Sequence, residues 1–280
     1  MVMFGIALGI SLDDFKRLVR KPKPLFVGVL SQFVLLPAVT FVLVLLLEPL
    51  PSIALGMFMV AACPGGNISN FITHLAKGNT ALSVSLTAVA TLLAVAMTPL
   101  NLQLWGSFYG PTATLLQEVA ISPISMVKLV ALLLGLPLIL GMWVNHIRPN
   151  WAYKTAKVLK VISLLFFVVL IFAALYDNRD IFMEYVLYVF WIVLLHNLIA
   201  FVTGYSVANL LGLSQKNKRT IAIETGIQNS GLGLLLIFTF FEGMGGMALL
   251  AAFWGIWHLV SGLTLATLWG YGPIDKEELV

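Results

Sequence analysis

One cysteine in 280 residues, Cys63, excludes an internal disulfide framework and a cysteine-based zinc site. The four histidines, His74, His146, His196 and His258, are too scattered to supply a metal cluster in its place. Charge is equally scarce: 10% of the residues are charged against roughly 25% in a soluble domain. No HExxH, no GxSxG and no nucleophile with a nearby base occurs, so nothing supports an enzyme. A basic leader and a small-residue cleavage site are missing around Met1 to Ile10, so no cleavable signal peptide is expected.

What is present is apolar, 60% of the chain, in unbroken runs of the length that spans hydrocarbon. Eight segments qualify: Leu25–Leu47, Ile53–Leu75, Thr80–Leu102, Met126–Val144, Val158–Leu175, Tyr185–Leu211, Ile221–Phe241 and Met247–Trp269. All are expected to be helices, because a bilayer leaves no water to satisfy backbone groups and the runs are too long for barrel strands. Met1 to Ser11 is long enough for only half a crossing. The expected fold is therefore an all-α integral membrane protein in a lipid bilayer.

The net charge of +4 reflects topology and implies no nucleic acid partner. All basic residues except Lys128 and Arg179 fall on one side of the spans, which the positive-inside rule makes cytoplasmic. The C-terminus, with Asp275, Glu277 and Glu278, then lies in the cytoplasm of a plasma (inner) membrane protein. Gln103–Ser125, with Gly106, Gly110, Pro111 and Pro123, reads as the longest connection and divides the chain. The expected organisation is a first repeat over 1–102, a connecting loop over 103–125, a second repeat over 126–270 and a tail over 271–280.

Two of the spans are polar and interrupted, CPGGNISN within Ile53–Leu75 and ETGIQNSG within Ile221–Phe241. Such a pair, at corresponding places in two halves of opposite orientation, points to a transporter's binding site. Eleven of the twelve acidic residues lie in loops or near span ends, and Glu224 is the remaining one. An ionisable group inside a span is a functional hypothesis with a partner. Snorkelling to Lys216, Lys218 and Arg219 is the plain alternative. The nearby oxygen-bearing side chains suit a hard cation such as sodium, and a proton carried on Glu224 is the rival.

The segments ACPGGNISNFITHLAKGNTALSVSLTAVATLLAVAMTPL and AIETGIQNSGLGL resemble the two signature segments of the bile acid:sodium symporter family. The likeness extends to MFGIALGISLDDFKRLVRKPKPLFVGVLSQFVLLP and WGIWHLVSG. It implies ten helices in two inverted five-helix repeats, core and panel domains, and two broken helices crossing at the centre. It also implies a sodium-coupled symporter of a small organic anion, with Na+ as the coupling ion. By resemblance, a first sodium site falls on Ser69, Asn70, Ser83, Thr87 and Glu224. A second falls on Gln32, Glu224 and Gln228, with the carbonyls of Thr225 and Ile227. Substrate contacts fall on Asn67, Asn229 and His258.

The spacing of Ser83 and Thr87 puts both hydroxyls on one helix face, as a shared site requires, although small residues on one face also serve packing. His258 reads equally well as a structural histidine, and His196–Asn197 as interhelical packing. The sequence departs from the family in three places. The leading helix and half of the next are absent, Asn67 stands where Thr or Ser is usual, and Leu259 stands where Asn is common. A proton-coupled exchanger and a non-transporting receptor of the same fold remain the alternative functions.

Overall fold

The computed structural model describes residues 2–8, 22–118, 123–177 and 179–271. The described part is helical throughout: α1 (Val2–Ala7), α2 (Pro22–Leu47), α3 (Pro51–Ala62), α4 (Ile68–Leu75), α5 (Thr80–Phe108) and α6 (Gly110–Glu118). Then come α7 (residues 123–147), α8 (Pro149–Asp177), α9 (Arg179–Leu210), α10 (Gln215–Gly226), α11 (Ser230–Phe240) and α12 (Gly245–Tyr271). Among the described residues, four uninterrupted stretches are long and apolar enough to cross a membrane, Pro22–Leu47, Thr80–Phe108, Met183–Leu210 and Gly245–Gly270. Large apolar side chains such as Leu46, Val169, Leu187 and Leu210 are exposed, which is the surface a bilayer covers.

Two expected spans are divided. Pro64 cannot donate to a helix and holds the residue before it extended, so α3 ends at Ala62 and Cys63 takes φ −72°, ψ 153°. Gly65 and Gly66 carry the chain through a non-helical step before α4. The second break follows Gly226, and Asn229 starts α11 by accepting the Leu232 N–H at 3.0 Å. A long helix, a broken helix and a long helix thus occur twice, as α2, α3/α4, α5 and as α9, α10/α11, α12.

The stretch 103–125, expected as a connecting loop, is largely helical in the structure. It holds the end of α5, all of α6 and the start of α7. Pro111 and Pro123 sit in the first turn of a helix, where a missing N–H costs nothing, so these prolines mark starts rather than a loop. Of the half-helix expected at Met1 to Ser11, Val2–Ala7 is helical. The basic cluster Lys16, Arg17, Arg20 and Lys21, the acids Asp13 and Asp14, and the tail residues Asp275 to Glu278 lie outside the described residues.

Half-helices in hydrocarbon need close neighbours, and small residues supply them. At Gly204 of α9 a Cβ would stand 2.7 Å from the Ile221 carbonyl oxygen and 2.8 Å from the Ala222 Cα of α10. At Gly56 of α3 it would stand 3.0 Å from the Met247 Cα of α12. Helices that touch through backbone leave no room for a side chain between them. Every residue of α3 from Ile53 to Ala62 is buried.

Because the two nearest atoms facing Gly204 are backbone, they cannot step aside. Gly204→Val is expected to lower stability by about 1–3 kcal/mol, the ordinary cost of overpacking. The measurement is the thermal unfolding midpoint of the detergent-purified protein, compared with Gly110→Val, where nothing lies within 4 Å.

Candidate functional site

The two breaks meet each other. Gly65 and Gln228 form an antiparallel bridge: the Gly66 N–H donates to the Ile227 carbonyl at 2.7 Å and the Asn229 N–H to the Pro64 carbonyl at 2.8 Å. Groups released by one interruption are therefore satisfied by the other. The last carbonyl of each leading half-helix is bonded by a side chain from a neighbouring helix. The Thr98 hydroxyl of α5 donates to Ala62 O at 2.7 Å, and Asn197 Nδ2 of α9 donates to Gly226 O at 2.8 Å.

Glu224 lies in the last turn of α10, beside the bridge, and is 0% exposed. Ser69 of α4 and Ser83 of α5 donate to its Oε1 at 2.5 Å each, and Thr87 of α5 reaches Oε1 at 3.2 Å and Oε2 at 3.1 Å. Asn70 Oδ1 lies 2.8 Å from the Ser83 hydroxyl and 3.4 Å from that of Thr87. Ser83 and Thr87 are thus ligands of a carboxylate and not merely a packing face. The snorkelling reading of Glu224 fails on geometry. The carboxylate does not reach solvent, and Arg219 is turned away to donate to Ala76 O at the end of α4 at 3.0 Å.

Ser69, Asn70, Ser83, Thr87 and Glu224 bring together six side-chain oxygens that share three hydroxyl protons. A hydroxyl can donate once, so Ser83 cannot serve both Asn70 and Glu224. The cluster has more lone pairs than protons and, with Glu224 ionised, a net negative charge. Such a set suits a hard cation held by oxygens.

Gln32 reaches the same place because α2 widens into a π-turn over Ser31–Leu35, with the Leu36 N–H bonded to Ser31 O. The extra residue lets Ser31, Gln32 and Phe33 all be buried in succession. Ser31 shares a hydrogen bond with the Thr225 hydroxyl at 2.8 Å, and Gln32 Oε1 accepts the Gly65 N–H at 3.3 Å. Gln32 Nε2 is buried beside Glu224, without a close hydrogen-bond partner among the described residues. Across the bridge, Gln228 Nε2 donates to Thr225 O at 2.7 Å, and its Oε1 is a buried acceptor with no partner among the described residues. A buried amide oxygen without a donor carries a desolvation cost that a bound cation removes.

The three expected substrate residues are not tied into one group by hydrogen bonds. Asn67 is exposed at the start of α4, Asn229 caps α11, and His258 on α12 is buried with no partner for Nδ1 among the described residues. His196 is an interhelical contact as expected, sharing a 2.7 Å hydrogen bond with Thr40 and packing edge-on to Trp254. Asn197 is more than packing, since it holds the Gly226 carbonyl.

Sequence reasoning also missed Ser31, Thr98 and Asn101. Asn101 Nδ2 donates to Phe33 O in the π-turn at 3.1 Å, and Trp105 Nε1 donates to Asn101 Oδ1 at 3.0 Å. The available signal was the one used for Gln32: an amide inside an apolar span needs a partner. A groove of about 480 Å³ between α9 and α12 has mainly apolar walls, including Leu198, Val202, Val260 and Leu268, with Asn197, Tyr205, Ser206, Ser261 and Thr264 as its polar members.

A family model described as the sodium bile acid symporter family matches residues 1–185. The chain is 37% identical over 277 residues to an uncharacterized sodium-dependent transporter of Bacillus subtilis, covering 99% of this chain and 83% of that one. It is 32% identical over 271 residues to a probable chloroplastic sodium/metabolite cotransporter of Arabidopsis thaliana, and 31% over 238 residues to the ileal sodium/bile acid cotransporter of Oryctolagus cuniculus. The matched region spans 65% of the length of each of these two, slightly under two thirds.

Replacing Thr98 by valine keeps shape and removes the donor to Ala62 O. The expected loss is about 1 kcal/mol of stability, as for a single hydrogen bond in a membrane protein, read as a fall in the thermal unfolding midpoint. Thr98→Ser, which keeps the hydroxyl, should recover most of it.

Proposed function

The chain belongs to the sodium bile acid symporter family, and from that premise we propose that it couples sodium entry to the import of a small organic anion. The observation that carries the reading is Glu224: a fully buried carboxylate with hydroxyl and amide oxygens around it and no ion pair among the described residues. An uncompensated charge in hydrocarbon costs several kcal/mol, and a bound cation is what offsets it.

One or two Na+ ions are bound. The first is held by Ser69, Asn70, Ser83, Thr87 and Glu224, and the second by Gln32, Gln228, Glu224 and the carbonyls of Thr225 and Ile227. The first set spans α4, α5 and α10, and the second adds α2. Sodium therefore draws four helices to one arrangement of the crossing. Its entry lets the hydroxyls of Ser69, Ser83 and Thr87 turn lone pairs to the ion in place of protons to the carboxylate.

The anion binds after the ions, beside the crossing. The N-termini of α4 and α11 begin at the breaks, α4 without a side-chain cap, and the positive dipole ends with the N–H groups left open there hold a carboxylate or sulfate without arginine. Asn67 and Asn229 stand at those two N-termini, and His258 approaches from α12. The two successions of long, broken and long helix act as inverted repeats, with the C-terminus in the cytoplasm and the protein in the plasma (inner) membrane. The sodium gradient then drives uptake.

Uptake of radiolabelled bile acids and smaller carboxylates into proteoliposomes tests the reading. Accumulation is expected with an inward sodium gradient and none when potassium replaces sodium; uptake indifferent to that exchange, or driven by pH alone, refutes sodium coupling. Two ions with a monovalent anion move net charge, worth about 2.3 kcal/mol per charge per 100 mV, so an inside-negative potential should raise accumulation. Glu224→Gln should weaken sodium dependence by about 100-fold or more, since removing one member of a buried charge pair costs about 3–5 kcal/mol.

A further inference from the structure

We infer that Asn197 is a positioning residue for the second sodium set, and that Ser261 sets the orientation in which it works. The inference rests on the sodium-binding reading above and adds residues that contribute no ligand to it.

Three consecutive carbonyls at the end of α10 each have a different partner. Thr225 O accepts Gln228 Nε2 at 2.7 Å, Gly226 O accepts Asn197 Nδ2 at 2.8 Å, and Ile227 O accepts the Gly66 N–H at 2.7 Å. The first and third belong to the second sodium set. The middle one does not, and it is drawn away toward α9. Peptide units are planar and share only the two dihedrals of the residue between them. Fixing the Gly226 carbonyl therefore restricts where its neighbours on both sides can point.

Gly226 is gripped from the same helix by a second residue. A Cβ at Gly226 would stand 2.4 Å from the Phe201 ring, and Phe201 lies one turn after Asn197 on α9. Gly204, a further turn on, touches the Ile221 carbonyl. Asn197, Phe201 and Gly204 thus form one face of α9 against α10. The face holds the last turn where the sodium ligands are.

The Asn197 amide has one productive orientation. Gly226 O can only accept, so Nδ2 must face it, and Oδ1 then accepts the Ser261 hydroxyl at 2.6 Å. The alternative acceptor for Ser261 is His258 O, at 3.3 Å, one turn back on α12. The chain Ser261, Asn197, Gly226 links α12 to the ion ligands through α9. Without it Gly226 O is an unbonded carbonyl in a bilayer, free to turn inward beside the ion.

The test is a sodium titration of the thermal unfolding midpoint of the full chain in detergent, with potassium keeping ionic strength constant. A ligand that binds only the folded state raises the midpoint with a dependence that reports its dissociation constant. In Asn197→Leu, of similar shape but without the donor, the sodium dissociation constant is expected to rise about 10-fold or more, as outer-shell substitutions in metal sites do. Ser261→Ala should shift it the same way by less, and Ser261→Thr, which keeps the hydroxyl, should restore it.

Variants that unfold at lower temperature without sodium yet keep the wild-type dissociation constant would mark Asn197 as structural only and overturn the inference. If Asn197→Leu does not fold, the comparison of Ser261→Ala with Ser261→Thr decides by the same readout. A wild-type midpoint that ignores sodium refutes the sodium reading itself, and the positioning role goes with it.

Discussion

Two backbone hydrogen bonds, Gly66 to Ile227 and Asn229 to Pro64, are what permit helices to be interrupted inside hydrocarbon at all. Elsewhere in a bilayer a broken helix leaves donors and acceptors that water cannot reach. Here each interruption supplies what the other lacks. The remaining orphans, Ala62 O and Gly226 O, are satisfied from α5 and α9. The breaks are consequently tied to each other and to α5 and α9, and a carboxylate set against that junction can be held in a fixed place. The arrangement makes irregular backbone affordable only where the two segments meet.

Electrostatics then follows from geometry. Burial isolates Glu224 from the basic flank of α10, and Arg219 is already committed to the end of α4. Charge must be balanced from within the junction. Everything that surrounds the carboxylate is neutral and rich in oxygen, contributed by elements far apart in sequence. This is how a chain with 10% charged residues concentrates the one buried acid among the described residues into a site.

Much of this was legible before any coordinates. Pro64 cannot continue a helix and Gly65 and Gly66 disfavour one, so the first break could be read directly, and Glu224 stood out as the acid that no loop accounted for. The spacing of Ser83 and Thr87 fixed a common face. Other features depend on contacts that no local pattern records. The π-turn at Ser31–Leu35 has no proline or glycine in it, yet it decides that Ser31 and Gln32 both face the crossing. Asn101 was missed and Asn197 read as packing because their acceptors, Phe33 O and Gly226 O, become available only once the backbone departs from α-helix. The stretch 103–125 was misread because its prolines sit in the first turns of helices, where they look the same in sequence as prolines in a loop.

The shared hydroxyl protons of Ser83 and Thr87 bear on speed as well as on charge. Each oxygen stands within reach of two alternative acceptors, Asn70 and Glu224, so its proton can swing from one to the other by rotation about a single bond while every heavy atom stays in place. Exposed rotations of this kind take picoseconds to nanoseconds, and even slowed by burial they remain far quicker than the microsecond-to-millisecond rearrangement of helices. The cluster can therefore redistribute its protons by reorienting dipoles, without waiting for any larger movement of the protein.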